Sequence, residues 1–186
     1  YNTGWADNTG DACAAAISAA SNGILFFTPA GNRANQHWQG TFNAGPDGDQ
    51  WPNCMGGDEL NTMSLQPGGG GSFYLSWNTA GSAADYDLYI YEDNSILASS
   101  TNGGNTFESF SYTNNTASTK TLGVSIWRAS GVAKEFELFF HETSGTSDFQ
   151  YAVAVGSTTS PSNTTNANVL SVGAVPADVY GQANGS

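Results

Sequence analysis

The sequence predicts a mainly β protein, in which a jelly-roll-like β-sandwich is inserted into a partial α/β core. Three observations predict this fold. A helical segment followed by an apolar run lies near the start, about eight short strands with Gly, Asn and Ser between them fill the middle, and a second apolar run lies near the end. No helical period occurs between Trp38 and Val155. We therefore place the three parts at residues 1–36, 37–156 and 157–186.

The first part contains one predicted helix. Residues Ala12 to Ala20 are mostly strong helix formers, and Thr9 or Asp11 can cap the helix start. Four small or apolar residues recur at i, i+3, i+4 and i+7 and form one apolar face: Cys13, Ala16, Ile17 and Ala20. Asn22-Gly23 predicts the helix end, because Gly accepts the left-handed conformation after a helix.

Two apolar runs predict buried strands. Ile24–Phe27 is continuously apolar, which is typical of a strand buried on both faces. Ala30-Gly31-Asn32 then ends this strand in a tight loop that presents one amide side chain. Val169–Val175 is the second run. Because open α/β sheets place their functional groups at the carboxyl ends of strands, the loop is a candidate site.

The middle of the chain alternates apolar and polar residues with the period of two that strands require. Gln66-Pro67-Gly68 predicts a turn between two of these strands. The predicted strands are Asn61–Leu65, Gly71–Trp77, Tyr86–Tyr91, Ser95–Ser99, Glu108–Tyr112, Thr121–Arg128, Glu135–His141 and Tyr151–Val155. Residues 157–166 are rich in Ser, Thr, Asn and Pro and are predicted to form a return linker.

Composition limits the partners and the location of the chain. Four Lys+Arg against sixteen Asp+Glu give a net charge of −12, so nucleic acid and anionic membranes are poor partners. Scarce Lys and Arg, together with abundant Asn, Ser and Thr and 23 Gly, predict a secreted protein. No stretch approaches the ~20 apolar residues of a membrane-spanning helix. The chain begins without a charged-then-apolar leader pattern, and we expect it to be a fragment of a longer protein.

Two segments resemble the core of subtilisin-like serine peptidases (subtilases). SNGILFFTPAGN, residues 21–32, is similar to the subtilase segment that carries the oxyanion asparagine, and NANVLSVGAV, residues 166–175, resembles the next core strand. The two segments lie close in sequence in the family, but here well over a hundred residues separate them. Between them, DQWPNCMGGDELN and DYDLYIYED resemble a β-sandwich insert of some secreted subtilases. The resemblance implies a subtilase core that is interrupted by an inserted domain, and it implies that Val169–Val175 pairs with Ile24–Phe27.

The resemblance also implies roles for the loop. Asn32 would be the catalytic hydrogen-bond donor to the oxyanion, and Ala30 and Gly31 would line the substrate side. The alternative from the residues alone is an asparagine that stabilises its own loop. The implied partners are protein or peptide substrates and the rest of the peptidase domain, and the resemblance requires no cofactor.

The remaining catalytic machinery of the family is not predicted in this chain. Gly145-Thr146-Ser147 copies the nucleophile motif superficially, but Asp148-Phe149 follows it, so we interpret it as a loop. His37 and His141 lack the sequence context of the family's histidine, and residues 7–10 do not match its aspartate motif. The fragment alone is therefore expected to be inactive, with an insert that modulates substrate access or stability. The alternative function is a non-catalytic extracellular module that binds carbohydrate or protein.

Acidic loops suggest a calcium site. Asp47-Gly48-Asp49, Asp58-Glu59 and Asp85-Tyr86-Asp87 place carboxylates near turns, and Ca²⁺ takes six to eight oxygen ligands. Asp85 and Asp87 share a strand face, which is either a calcium site or a solvated surface.

Cysteines and tryptophans give two more predictions. A disulfide between Cys13 and Cys54 would contribute roughly 3–4 kcal/mol, the alternative being two buried thiols. Trp77 and Trp127 are predicted to lie in the core, whereas Trp51 is the candidate for an exposed sugar-binding ring.

Overall fold

The structure is a computed structural model that describes residues 11–45, 47–55, 57–159, 161–162 and 164–174. It is mainly β, as predicted, with one α-helix among these residues. Across the same ranges no helix is long and apolar enough to cross a membrane. The elements are α1 (Asp11–Ser21), β1 (Phe26–Pro29), a 3₁₀ turn (Ala34–Gln36), β2 (His37–Thr41), β3 (Asn61–Trp77), β4 (Ala84–Glu92), β5 (Ser95–Ser100), β6 (Phe107–Thr113), β7 (Lys120–Gly131), β8 (Glu135–Thr146) and β9 (Val169–Val172).

Helix α1 ends as the sequence predicts. Gly23 has φ +79° and donates its backbone N–H to Ala20 O at 3.1 Å. Ile24 N–H reaches further back, to Ala19 O, also at 3.1 Å. These two bonds form the Schellman motif, in which a left-handed residue satisfies the last carbonyl groups of a helix. The motif turns the chain directly into β1.

Strands β1 and β9 form a two-stranded parallel sheet, which confirms the predicted pairing. Phe26 lies opposite Val169, and Pro29 lies opposite Val172. Helix α1 buries Ala16 and Ala20 against Val169 on one face of this sheet. The small alanine side chains allow the helix and the strands to approach closely.

The prediction that Ile24–Phe27 is buried on both faces is wrong. Strand β1 begins only at Phe26, and the exposed fractions of Ile24, Leu25 and Phe27 are 58%, 62% and 60%. The physical reason is that α1 covers one face of the sheet, and no described element covers these side chains on the other. Val175, the last residue of the second predicted strand, lies outside the described residues, as does the candidate cap Thr9.

The other seven strands form a single antiparallel sheet that folds over on itself. The strand order is β2-β8-β3-β7-β4-β5, and β6 pairs with β3. The first residues of β3, Asn61–Leu65, pair with β7, whereas its later residues pair with β8 and β6. Strand β3 therefore belongs to both layers of the sandwich and connects them.

The predicted turn at Gln66-Pro67-Gly68 is wrong, because β3 continues through it with shifts of register on either side of Gly70. A glycine run makes this possible. A Cβ atom at Gly70 would lie 2.3 Å from Tyr112 O, and one at Gly71 would lie 2.2 Å from His141 O. Side chains larger than hydrogen would thus collide with the backbones of the strands that flank β3.

The two layers meet in one apolar core. Tyr86 of β4 contacts Trp77 of β3 and Phe136 of β8, with ring centroids 5.5 Å and 5.8 Å apart. The Tyr86 hydroxyl accepts a hydrogen bond from Lys134 N at 2.8 Å, so its polar group is satisfied inside the core. The alternation predicted for β3 and β4 is confirmed, since one face of each is buried: Phe73, Leu75 and Trp77, and Tyr86, Leu88 and Ile90.

Tyr151–Val155 is not a strand, which corrects a further prediction. This segment crosses the sandwich surface, where Tyr151 N donates to Asn61 Oδ1 at 3.1 Å and Val153 N donates to His37 O at 2.8 Å. One hydrogen bond to a side chain and one isolated backbone hydrogen bond replace the regular backbone pairing of a β-strand here. The second bond also brings the start and the end of the sandwich together. The domain boundaries at 36/37 and 156/157 stay predictions.

Candidate functional site

The loop after β1 is fixed at three points. Ala30 N donates to Val172 O at 2.9 Å, which extends the pairing with β9 by one bond. Ala30 O accepts from Thr159 N at 3.4 Å, and Pro29 O accepts from Ser162 Oγ at 2.7 Å. The return segment and β9 therefore hold the loop together.

Asn32 lies in this loop with an exposed side chain. Gly31 before it has φ +104°, a conformation that side chains with a Cβ rarely adopt. The Asn32 amide makes no hydrogen bond to any described residue, so nothing in the described chain supports the alternative in which it stabilises its own loop. The catalytic role of Asn32 and the substrate contacts of Ala30 and Gly31 stay predictions.

An open groove of about 460 Å³ lies at the carboxyl ends of the two parallel strands. Its lining is mostly apolar and comes from Phe27, Thr28, Pro29, Val172, Gly173 and Ala174. The predicted loop and a concave surface thus occur at the same end of the small sheet.

Ser147 is a structural residue. Its hydroxyl accepts a hydrogen bond from Ser64 N at 2.8 Å and donates one to Asp148 O at 3.0 Å. The neighbouring Thr146 hydroxyl donates to the Glu142 carboxylate. These contacts agree with the prediction that the Gly145-Thr146-Ser147 segment is not a nucleophile motif, but Gly145 and Thr146 end strand β8 and do not lie in the predicted loop.

The two histidines belong to the outer face of β2 and β8. His37 is fully buried, with Nδ1 2.6 Å from Val153 O and its ring 4.4 Å from that of Phe139. The pKa of His141 is lowered to about 4, first by burial and then by the positive charge of Arg33. His141 is therefore neutral at pH 7. The Ser147 hydroxyl is already engaged by Ser64 N and Asp148 O.

The predicted disulfide is not formed. Cys13 is buried in α1, whereas Cys54 packs against the sandwich core, and their sulfurs are not joined. The physical reason is that Cys13 lies in the helix beside the small parallel sheet, whereas Cys54 lies in the loop before β3 and packs on the sandwich core. Burial raises the pKa of the Cys54 thiol to about 12, with smaller contributions from the negative charges of Asp58 and Glu59.

Two of the three acidic segments meet. Carboxylate oxygens of Asp47, Asp49 and Glu59 all lie within 4.8 Å of one another. Among the described residues no comparable group of three includes Asp85 and Asp87, so a calcium site there stays a prediction. Asp87 accepts a hydrogen bond from the Tyr89 hydroxyl at 3.1 Å, and burial raises its pKa.

Tryptophan placement differs from the prediction in two cases. Trp77 lies in the core, as predicted. Trp127 does not, because it lies on the outer face of β7, and Trp51 is half-buried rather than exposed. Their rings pack together with centroids 4.7 Å apart. Trp127 follows the core residue Ile126, and this alternation was the signal for its outward direction.

Glu137 is a buried carboxyl that the sequence did not single out. Only 6% of the residue is exposed, and it lines a small cleft with Gln39, Gly40 and Thr41. Its carboxyl makes no hydrogen bond to a described residue. Burial therefore raises its pKa to about 7.

Comparisons with known proteins support the fold. No family model and no curated protein matches the sequence. The structure is similar to that of the Clostridium perfringens CspB protease, with a TM-score of 0.59 and 9% identity over 94% of this chain. This coverage spans the α/β unit and the sandwich, although the chain spans only 40% of that structure. The structure was also matched to that of the Yersinia pseudotuberculosis-derived mitogen, with 12% identity over 60% of this chain and 92% of that one. The TM-score of 0.34 is too low to indicate a shared fold.

Replacing the buried carboxyl tests the Glu137 environment. Because the native pKa lies above that of the unfolded chain, ionising Glu137 destabilises the fold as pH rises from about 4.5 to 7 and above. Glu137→Gln removes the ionisable group. The free energy of unfolding of this variant, relative to that of the parent chain, should therefore increase between pH 4.5 and pH 8 by up to about 3 kcal/mol. Urea unfolding at both pH values measures the difference, and Glu135→Gln, on the exposed neighbour, is the control. An equal effect of Glu137→Gln at the two pH values would contradict the assignment.

Proposed function

We propose that this chain is part of a secreted subtilisin-like serine endopeptidase, with its β-sandwich inserted between β1 and β9. The observation that carries the proposal is the position of Asn32. Its exposed amide, without a hydrogen-bond partner in the described chain, follows a strand that pairs in parallel with the strand of the second resembling segment. The fold likeness to a protease structure, which covers both parts of the chain, supports the same conclusion.

The proposed chemistry is stabilisation of an oxyanion. During acyl transfer, a serine attacks the scissile carbonyl with histidine as base, and negative charge develops on the carbonyl oxygen. Asn32 Nδ2 would donate a hydrogen bond to that oxygen. Such a donor is effective when it is held in place before the reaction, which the bonds of Ala30 to Val172 and to Thr159 favour. The serine, histidine and aspartate would come from the rest of the enzyme.

The exposed apolar face of the small sheet supports a larger parent domain. Parallel sheets in proteins are normally covered on both faces. Here Phe27 and Val172 are 60% and 52% exposed, beside the groove at the strand ends. The rest of the peptidase domain is the partner proposed for this face, since further strands and helices of the same core would bury it.

Asn32→Ala in the intact enzyme tests the proposal. Removing the donor should lower kcat by about 10²–10³, the range found when such a donor is removed from subtilisin, with little change in KM. The loss falls on kcat because the hydrogen bond strengthens only as the oxyanion forms. Steady-state kinetics on a short peptide substrate measure it.

Asn35→Ala is the matched control, since Asn35 is an exposed asparagine in the adjoining 3₁₀ turn. It should leave kcat unchanged. Equal effects of the two substitutions, or an unchanged kcat in Asn32→Ala, would overturn the oxyanion role.

The sandwich is proposed to control access of protein substrates. It begins at His37, shortly after Asn32, and its two ends meet through the bond from Val153 N to His37 O. A compact insert with adjacent ends leaves the core that surrounds it intact. The sandwich would therefore stand near the substrate groove without interrupting the sheet.

Deleting residues 37–156 from the intact enzyme tests this role. Access control predicts a roughly tenfold or larger change in kcat/KM for a folded protein substrate, with kcat/KM for a short peptide unchanged. The contradicting result is a lower melting temperature with both kinetic constants unchanged, which would assign the insert to stability.

A further inference from the structure

A cleft of about 240 Å³ lies on the outer surface of the sandwich, away from the Asn32 loop in sequence. It opens between the long loop that precedes β3 and the hairpin that joins β4 to β5. Two aromatic rings, one aliphatic side chain, two carboxylates and an amide line it: Trp51, Tyr91, Leu60, Glu59, Asp93 and Asn94. We call it the aromatic–acidic cleft.

The aromatic wall of the cleft is held in place. Trp51 N donates to Asp49 Oδ1 at 2.8 Å, which fixes the backbone of the loop. The Trp51 ring packs against Trp127, and lies 5.7 Å from the Tyr89 ring and 6.3 Å from the Tyr91 ring. A ring fixed by three neighbours loses little conformational entropy when a ligand stacks on it.

Among the described residues, neither Glu59 nor Asp93, the two carboxylates of the cleft, forms an ion pair. The sequence has only four Lys and Arg residues, and each lies in the described chain and contacts another group. Lys120 pairs with Glu92, Lys134 donates to Ala80 O, Arg33 donates to Gln36, and Arg128 donates to Gln50 and lies over the Phe42 ring. Lys120 also interacts electrostatically with Asp93, so Glu59 is the cleft carboxylate that has only acidic charges beside it.

The carboxylate of Glu59 is repelled by neighbouring carboxylates. Its carboxylate lies within 4.8 Å of those of Asp47 and Asp49, and its pKa is raised by burial and by the negative charges of Asp49, Asp47 and Asp58. A bound cation would relieve this repulsion. The net charge of −12 would also attract a cationic ligand toward the surface.

We propose that the aromatic–acidic cleft binds an arginine or lysine side chain of a partner polypeptide. A guanidinium group stacks on aromatic faces and forms paired hydrogen bonds with carboxylates, and this cleft offers both kinds of contact. A neutral sugar would use the rings but would not neutralise the carboxylate of Glu59. A bare divalent cation would use Asp47, Asp49 and Glu59 but not the aromatic wall. The proposal does not depend on the peptidase assignment.

The test is an NMR titration of the full 186-residue chain. The probe is the capped peptide Gly-Gly-Arg-Gly-Gly, and the matched ligand has citrulline, an uncharged isostere, in place of arginine. We expect saturable shifts at residues of the cleft with the arginine peptide alone. Glu59→Gln and Trp51→Leu should each weaken binding roughly tenfold, while Asp148→Asn, an exposed carboxylate outside the cleft, should leave it unchanged.

Three results would overturn the proposal. One is the absence of saturable binding of the arginine peptide at low salt. Another is equal binding of the arginine and citrulline peptides, or binding that Glu59→Gln does not weaken. The third is saturation of the cleft by Ca²⁺ or by a neutral oligosaccharide where the arginine peptide fails. If Trp51→Leu does not fold, Glu59→Gln and the citrulline peptide still decide the outcome, because both preserve the shape of the groups that they replace.

Discussion

The parallel pairing of β1 with β9 is the contact on which the rest of the structure depends. Each strand has only four residues and joins its partner across the whole sandwich. Closing so long a loop costs little additional free energy, because the entropic cost of closure grows only slowly with loop length. The folded sandwich also holds its own ends together. The bond from Val153 N to His37 O is the direct sign of that closure. One further hydrogen bond, from Ala30 N to Val172 O, extends the pairing of the small sheet into the loop that contains Asn32.

Within the sandwich, the fold depends in the same way on strand β3. It crosses from one layer to the other through its glycine run, where neighbouring backbones leave no room for side chains. The alternation that buries Phe73, Leu75 and Trp77 on the inside leaves the opposite faces to polar and aromatic groups. The same geometry directs Tyr89, Tyr91 and Trp127 outward, against which Trp51 then packs. The core and the aromatic wall of the surface cleft thus follow from one strand pattern.

Local patterns predicted what local forces determine. Helix α1, its end at Gly23 and the alternation of β3 and β4 depend on residues close in sequence, and all were predicted. Contacts between distant residues were not predicted, except for the pairing of β1 with β9, which the family resemblance implied. Gln66-Pro67-Gly68 has the composition of a turn, yet pairing with three other strands keeps β3 continuous. Cysteine spacing gave no information on whether Cys13 and Cys54 meet. The acidic segments were recognised, but only the folded loop shows that Asp49 and Glu59 come together. The loop position of Asn32 was predicted from the local pattern, whereas its oxyanion role came from the family resemblance and stays a prediction.

The most direct test of the account is the structure of the intact parent enzyme with a peptide aldehyde bound. An aldehyde forms a hemiacetal with a catalytic serine, and the hemiacetal oxygen occupies the position of the oxyanion. The proposed oxyanion role predicts that Asn32 Nδ2 lies about 2.7–3.1 Å from that oxygen. The small sheet should be buried by further strands and helices. A hemiacetal oxygen bound by other donors, with Asn32 remote from it, would contradict the account, as would a parent protein that forms no adduct.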